Sequence, residues 1–212
     1  MALFPLPAWS PHGGGVARCR GIIVSHETVR QWARKFGQQF ANQIRRRLPR
    51  VGDKWHLDEV VLKISGVKHW LWRAVDQTGI VLDVLVQRRR DKQAAKRLLR
   101  KLLKKQMRPP RVMITDKLAS YGAAKRDVMP GVEHRQPAEQ QSGEFAPADA
   151  PTRAADKQFK SAGQAQRFLS AHDQINNLFH FRRDHLTAAE HRAFRTQTFR
   201  VWAEISGAIT AA

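Results

Sequence analysis

Two stretches decide the fold, Trp55-His56-Leu57-Asp58-Glu59-Val60-Val61 and Arg111-Val112-Met113-Ile114-Thr115-Asp116-Lys117. Both are rich in the β-branched and apolar residues that favour strands, and each carries an aspartate. Acidic residues are scarce in this chain, which has 18 Asp and Glu against 38 Lys and Arg. Carboxylates on neighbouring strands supply the hard oxygen ligands of Mg²⁺, and basic surroundings attract a phosphodiester backbone. The pair predicts a metal-dependent enzyme that acts on DNA.

The composition favours a nucleic-acid partner. A net charge of +20 and a sequence pI near 11.4 favour a polyanion. No apolar run approaches the roughly 20 residues that a membrane span needs, and no signal peptide opens the sequence, so we expect a soluble, intracellular protein without membrane contact. The single cysteine, Cys19, excludes an internal disulfide and a Cys-rich zinc module.

The periodicity of apolar residues predicts an α/β fold. Residues 26–47 read as an amphipathic helix, and three extended segments follow at Trp55–Ile64, Lys68–Val75 and Ile80–Gln87. Then come a helix at Lys92–Gln106, a strand at Arg111–Thr115, a helix at Tyr121–Val128 and a strand at Val132–Arg135, with two more helices after Phe159. This order is that of the ribonuclease-H-like fold, a mixed sheet with flanking helices. Residues 1–19 and 137–157 instead have the Pro- and Gly-rich composition of linkers or disordered segments.

Five motifs in order carry a family resemblance. They are Val24 to Trp32, Trp55 to Glu59, Lys68 to Asp76, Ile114 to Lys117 and Val132 to Arg135. Together they resemble bacterial DDE transposases of the insertion-sequence-6 family, over roughly residues 20–136 and again from 159. The resemblance implies a homodimer that binds terminal inverted repeats and target DNA in the bacterial cytoplasm, associated with the nucleoid. It also implies a ribonuclease-H-like catalytic core behind an N-terminal helix-turn-helix.

The resemblance assigns the catalytic acids only in part. It implies that Asp58 and Asp116 are the first two acids of a triad that holds two Mg²⁺ ions, which Mn²⁺ can replace, for DNA strand cleavage and transfer. The family's third acid is a glutamate in an Asn-Asn-Arg-Ala-Glu-Asn-Ser stretch, which this chain lacks. Glu144 is the only acid near that position, and a solvated loop acid is its alternative interpretation. Glu59 is expected to face away from Asp58, since strand neighbours alternate.

Reading frames offer an explanation for the missing stretch. When the family stretch is written in codons and read in a shifted frame, it gives Gln-Gln-Ser-Gly-Glu-Phe-Ala, the sequence of residues 140–146. The family's first helix gives residues 12–19 in the same shifted frame. We hypothesise that residues 1–19 and 137–157 are translated out of frame. The remaining regions are then a partial helix-turn-helix at 20–50, a core at 51–136 and C-terminal helices at 158–212 that complete the core.

DNA-contacting residues are predicted from charge and position. They are Arg30, Arg34, Lys35, Arg45, Arg46, Arg47, His134 and Arg135. Solvated surface remains the alternative for basic faces, and a partly buried strand-end residue is the alternative for His134. Asp76 and Asp83, which flank a turn, are expected at the surface. The function predicted is a DNA transposase impaired by loss of its third acid, and the alternative is a non-catalytic DNA-binding remnant.

Overall fold

A computed structural model describes residues 17–19, 22–24, 26–48, 50–116, 118–136, 159–180 and 187–207. Its strands are β1 (Ala17–Cys19), β2 (Ile22–Val24), β3 (Lys54–Ile64), β4 (Val67–Asp76), β5 (Val81–Gln87), β6 (Val112–Thr115) and β7 (Glu133–Arg135). Its helices are α1 (His26–Arg47), α2 (Lys92–Gln106), α3 (Ala119–Val128), α4 (Ala162–Leu178) and α5 (Ala188–Ser206). Glu144 and nearly all of the residues predicted to be out of frame lie outside the described residues.

Five strands form the mixed sheet that the sequence predicts, in the order β5-β4-β3-β6-β7. The first three strands along the chain are antiparallel neighbours, and Asp58 on β3 lies opposite Arg73 on β4. Strand β6 then pairs in parallel with β3, with Leu57 opposite Thr115, and β7 continues in parallel beside β6. An antiparallel meander with two parallel strands added beside its first strand is the ribonuclease-H-like topology. The predicted ribonuclease-H-like fold is therefore confirmed.

Helix α2 shows why the crossover packs onto the sheet. Asp91 caps its N-terminus by accepting a hydrogen bond from the Ala94 amide at 2.8 Å. Its apolar stripe is fully buried and consists of Ala94, Ala95, Leu98, Leu99 and Leu102. This stripe joins Trp55, Leu57 and Trp72 in one core on one face of the sheet. A second core, which includes Leu62 and Leu169, covers the other face.

The chain divides into two compact units, residues 49–173 and residues 1–48 with 174–212. The first unit contains the sheet, α2, α3 and most of α4. In the second unit, Phe40 and Ile44 of α1 pack with Trp202 and Ile205 of α5. The sequence prediction assigned all of 158–212 to the core, whereas this division places residues from 174 onward with α1. None of the helices in the described part of the chain is long and apolar enough to cross a membrane.

The predicted helix-turn-helix is not confirmed. Before Pro49 the described residues form the hairpin of β1 and β2 and the single helix α1. A helix-turn-helix needs two helices joined by a short turn. The partial motif therefore stays a prediction, while the bounds of α1 agree with the helix expected at 26–47.

Two acids predicted at the surface are buried, and that expectation was wrong. Asp76 is 1% exposed, and its carboxylate accepts hydrogen bonds from the amides of Gly52, Thr78 and Ile80. Asp83 is 4% exposed, and its two oxygens contact the ammonium groups of Lys101 and Lys105 at 3.0 and 3.4 Å. Both carboxylates are tolerated because several donors replace the lost water. Asp76 thereby fixes the β4–β5 turn, and Asp83 ties β5 to α2.

Candidate active site

The two predicted catalytic aspartates come together where β6 ends. Strand β6 stops at Thr115, opposite Leu57, so within the described residues no strand pairs with the next residues of β3 on that side. Asp116 enters the space that is left, and its Oδ1 accepts a hydrogen bond from the Leu118 amide at 3.0 Å. Ligand oxygens of Asp58, Glu59 and Asp116 all lie within 4.8 Å of one another. Parallel pairing of β3 and β6 therefore gathers three carboxylates where β6 ends, beside the middle of β3.

Glu59 belongs to this cluster, although it alternates with Asp58 along β3 as the sequence predicts. Its backbone follows the predicted alternation, because the Glu59 side chain is 1% exposed and that of its neighbour Asp58 is accessible to solvent. Alternation directs the two side chains to opposite faces of the sheet. Within the described residues β6 does not continue past Thr115, and a Glu59 carboxylate oxygen still comes within 4.8 Å of one of Asp116. Its Oε2 is buried without a hydrogen-bond partner among the described residues.

Among the described residues, Arg90 is the cation that forms ion pairs with carboxylates of the cluster. Its Nε donates to Glu59 Oε1 at 2.7 Å, and its Nη2 contacts the same oxygen. Nη2 also lies 3.5 Å from Asp116 Oδ2, so one guanidinium bridges two carboxylates. The Cζ atom stands 4.9 Å from the centre of the Trp70 ring, within the range of a cation–π contact. A fork of donors on a planar group suits such bridging better than an ammonium does.

The carboxyl groups of Asp58 and Glu59 have raised pKa values. Desolvation raises the pKa of Asp58, and the Asp116 charge raises it further, against the opposing effects of Arg73 and Arg90. Desolvation also raises the pKa of Glu59, while Arg90 opposes that shift. The pKa of Tyr121, which is buried beside Glu59, is raised mainly by desolvation. Carboxyl groups with raised pKa values at an opening of the fold are typical of functional sites.

The donor set fits a hard divalent cation. Three carboxylates offer only oxygen ligands, and one buried oxygen, Glu59 Oε2, has no hydrogen bond of normal geometry among the described residues, although the Tyr121 hydroxyl lies close enough to influence the pKa of Glu59. A cation would also stabilise the Asp58 carboxylate, whose pKa is raised mainly by desolvation and further by the Asp116 charge. The arrangement can therefore hold a divalent metal ion.

His134 and Arg135 lie on β7, next to the strand that leads to Asp116. His134 Nε2 is 2.9 Å from the Thr115 hydroxyl, which donates to the Asp116 carbonyl at 2.8 Å. Because the Thr115 hydroxyl already donates its hydrogen to the Asp116 carbonyl, His134 Nε2 must donate to the hydroxyl oxygen. Desolvation lowers the pKa of His134. The Arg135 guanidinium pairs with Glu133 at 2.6 Å, at the surface.

The remaining predicted DNA contacts lie on α1, in the other compact unit. The exposed side chains are those of Arg34, Lys35, Arg45, Arg46 and Arg47. The ammonium of Lys35 lies 5.2 Å from the Phe36 ring, and Arg47 reaches Gln43. Arg30 is part of α1, and its side chain lies outside the description, as does all of Glu144. Asp58 and Asp116 are thus brought together, and the third predicted acid is not tested.

Sequence reasoning missed Glu59, Arg90 and Tyr121 as members of the cluster. The run Arg88-Arg89-Arg90 gave a signal, because it immediately precedes the helix cap Asp91 and so has a fixed position at the end of β5. Trp70 on β4 gave another, as a partner for a guanidinium. Neither signal says which of three successive arginines turns inward.

The fold and the carboxylate cluster define a class: a ribonuclease-H-like core with a metal-type acidic site. Residues 52–182 match the family model of the DDE domain of IS240-type transposases. That match covers more than half of the chain, and the chain belongs to this DDE transposase family. Asp58, Glu59, Asp116 and Arg90 all lie inside the matched region.

Curated relatives agree with the family. The chain is 31% identical over 114 residues to the transposase of insertion sequence element IS257 in transposon Tn4003 of Staphylococcus aureus, a match that covers 54% of this chain and 50% of the relative. The identity and coverage are the same for the transposase of the insertion sequence-like element IS431mec of S. aureus strain Mu50. The chain thus spans about half the length of these relatives.

Solved structures resemble the chain more distantly. The Mos1 transposase catalytic domain, solved with raltegravir and Mg, has a TM-score of 0.44 and 17% identity, and covers 86% of this chain and 97% of that one. The HTLV-2 integrase catalytic core domain in complex with magnesium has a TM-score of 0.34 and 18% identity, over 45% of this chain and 66% of that one.

Proposed function

We propose that this chain is the catalytic part of an insertion-sequence transposase that cleaves and joins DNA strands with divalent metal ions. The observation that carries the proposal is the meeting of Asp58 and Asp116 where β6 ends, inside a region that matches the DDE domain. Family relatives named as transposases support it. The net charge of +20 supports a DNA substrate.

Asp58 and Asp116 would hold the metal in this proposal. Two bound Mg²⁺ ions, or Mn²⁺ in their place, would polarise the phosphodiester and stabilise the attacking and leaving oxygens of an in-line displacement. The protein keeps Asp116 in place at both ends: the Leu118 amide binds its carboxylate, and the Thr115 hydroxyl binds its carbonyl. His134 fixes that hydroxyl in turn, which makes it a positioning residue.

The third acid decides how active this copy is. Glu144 is our candidate from the sequence, and Glu59 is the third carboxylate of the cluster among the described residues. Because Arg90 already neutralises Glu59, this carboxylate contributes less negative charge to a metal than a free glutamate would. We therefore propose that strand cleavage by this copy is impaired.

DNA would be held by the basic residues of α1 and β7. Exposed Arg34, Lys35 and Arg45 to Arg47 suit phosphate contacts, and we include Arg30, His134 and Arg135 in the same role. We further propose that terminal inverted repeats and target DNA are the substrates, that a homodimer joins the two element ends, and that the protein acts in the bacterial cytoplasm at the nucleoid.

A non-catalytic DNA-binding remnant is the second candidate. It is favoured by the Arg90 pair, since the described part of the chain offers no third carboxylate that is free of a cation partner in the cluster. Such a protein would occupy DNA or mix with intact transposase without cutting.

Nicking of supercoiled plasmid tests the proposal. The protein is incubated with plasmid that carries element ends, in EDTA, Mg²⁺ or Mn²⁺, beside Asp58→Asn and Asp116→Asn. We expect slow, metal-dependent nicking that either substitution abolishes, while filter binding of the same DNA stays within about twofold. Asp53→Asn is the control, because Asp53 is an exposed acid outside the cluster that pairs with Arg111. DNA binding without nicking would support the remnant, and nicking that survives Asp58→Asn would contradict the site.

A further inference from the structure

Arg90 stands where a cation is needed in the acidic cluster. Its guanidinium touches Glu59 through Nε and Nη2 and lies 3.5 Å from Asp116 Oδ2. Glu59 lies on β3, and Asp116 directly follows the neighbouring strand β6. A single side chain thus links two members of the cluster that would otherwise repel each other.

The position of Arg90 is fixed from two directions. On the backbone side it precedes Asp91, which caps α2 and is held by the Ala94 amide. On the side-chain side the guanidinium lies over Trp70, which leaves the planar fork facing the carboxylates. Its side chain is 37% exposed and that of Asp116 is 45% exposed, whereas that of Glu59 is 1% exposed. The contact with Asp116 is therefore the weaker and more exchangeable of the two.

We propose that Arg90 is the resident counter-ion of the acidic cluster: it links Glu59 to Asp116 in the metal-free protein, and gives up Asp116, but not Glu59, when a divalent cation binds. The proposal rests on the metal site proposed above. Arg90 is a positioning residue in this account. It keeps the buried Glu59 paired at all times, and it holds Asp116 near Asp58 until the metal replaces it.

The metal and Arg90 then compete for Asp116. A positive charge beside the ligands opposes the binding of a second positive charge, and the exposed contact costs little to break. Removing Arg90 should therefore strengthen metal binding while it weakens the metal-free fold, because Glu59 is left buried without its partner. Residues that only support the fold would lower stability without raising metal affinity.

Mn²⁺ binding to the whole chain, followed by electron paramagnetic resonance, tests the exchange. Arg90→Gln is compared with Arg89→Gln, which removes the same charge one residue away. Arg89 is exposed and has no hydrogen bond or ion pair within the described ranges. We expect Arg90→Gln to lower the Mn²⁺ Kd by about tenfold relative to Arg89→Gln, and to lower the Tm in EDTA by several degrees. Arg90→Lys keeps the positive charge but loses the planar guanidinium that bridges the two carboxylates, so it should lower the Mn²⁺ Kd by roughly threefold. This variant provides the test if Arg90→Gln does not fold.

The outcomes separate this proposal from the proposed function. Equal Kd values for Arg90→Gln and Arg89→Gln, or a higher one for Arg90→Gln, would overturn the exchange while leaving the metal site standing. If neither the unsubstituted chain nor any variant binds Mn²⁺, the metal site itself is wrong, and the exchange fails with it. If the Mn²⁺ Kd is lower for Arg90→Gln and Arg90→Lys but not for Arg89→Gln, the result supports both the metal site and the exchange.

Discussion

Asp58→Asn should leave the metal-free protein nearly unchanged and abolish its stabilisation by metal. The substitution keeps the shape of the side chain, and the amide oxygen can still accept the Glu59 N–H that Asp58 Oδ1 accepts at 2.8 Å. It removes a carboxyl group whose pKa is raised by desolvation and by the Asp116 charge. We therefore expect a free energy of unfolding in EDTA within about 1 kcal/mol of the unsubstituted chain, and not lower.

The stabilisation by bound metal sets how far the Tm of the unsubstituted chain and that of Asp58→Asn should differ. A ligand at about 100 times its Kd stabilises the folded state by roughly 2.7 kcal/mol. For a unit of the size of residues 49–173, each kcal/mol moves the Tm by about 4 °C, so saturating Mn²⁺ should raise the Tm by roughly 10 °C. Asp58→Asn should lose most of this rise, because the cluster loses one of its ligands.

Thermal denaturation by circular dichroism, in EDTA and at increasing Mn²⁺, makes the measurement. Asp53→Asn is the matched control, and should keep the full rise, since Asp53 pairs with Arg111 away from the cluster. A full metal-induced rise in Asp58→Asn would refute the assignment of Asp58 as a ligand. A Tm that falls by many degrees in EDTA would refute the claim that its charge is not needed for folding.

Three further predictions follow from the core and from the raised pKa values. Folding raises the pKa of the Asp58 carboxyl, so the metal-free protein should gain stability as the pH falls through that raised pKa toward the unfolded value. Stabilisation by Mn²⁺ should instead be lost over the same pH range, because the protonated carboxyl no longer binds the metal. Urea titrations in EDTA and in Mn²⁺ between pH 7 and 4 measure both effects, and parallel curves in the two conditions would contradict them. Tyr121→Phe should change the free energy of unfolding by less than about 1 kcal/mol, because the buried hydroxyl makes no hydrogen bond of normal geometry to a described residue and only approaches Glu59. Leu98→Ala should cost about 2–5 kcal/mol, because Leu98 is fully buried, and urea denaturation that ranks the two variants the other way would overturn the packing account. Asp83→Asn should lower the free energy of unfolding by roughly 1–3 kcal/mol in the same assay, since it leaves Lys101 and Lys105 without their shared carboxylate. An unchanged free energy of unfolding would show that these two ion pairs contribute nothing to stability.

Local patterns were sufficient to predict the elements of the core. Period-2 alternation marked β3 and β4, and an apolar stripe between Asp91 and Pro109 marked α2, so the predicted bounds agree with the structure to within one or two residues. The order of elements then gave the sheet, because a meander followed by crossover helices has few topologies. The meeting of Asp58 with Asp116 followed from that order and from the resemblance.

The contents of the cluster depended on long-range geometry that periodicity does not contain. Glu59 joins it because β6 ends opposite Leu57, a matter of register between strands far apart in the chain. Arg90 joins it because its guanidinium finds Trp70, which is distant in sequence. Asp83 is buried because lysines of α2 reach over it, so a helix face that appeared to be only solvated also binds a carboxylate. Each case is a charged side chain whose partner lies on another element.

The metal site is the central claim, and anomalous diffraction from crystals soaked in Mn²⁺ tests it most directly. The account predicts a peak between the carboxylates of Asp58 and Asp116, with the Arg90 guanidinium withdrawn from Asp116 and still bound to Glu59. No peak at that position in crystals that diffract well, or a peak held by other residues alone, would contradict the account.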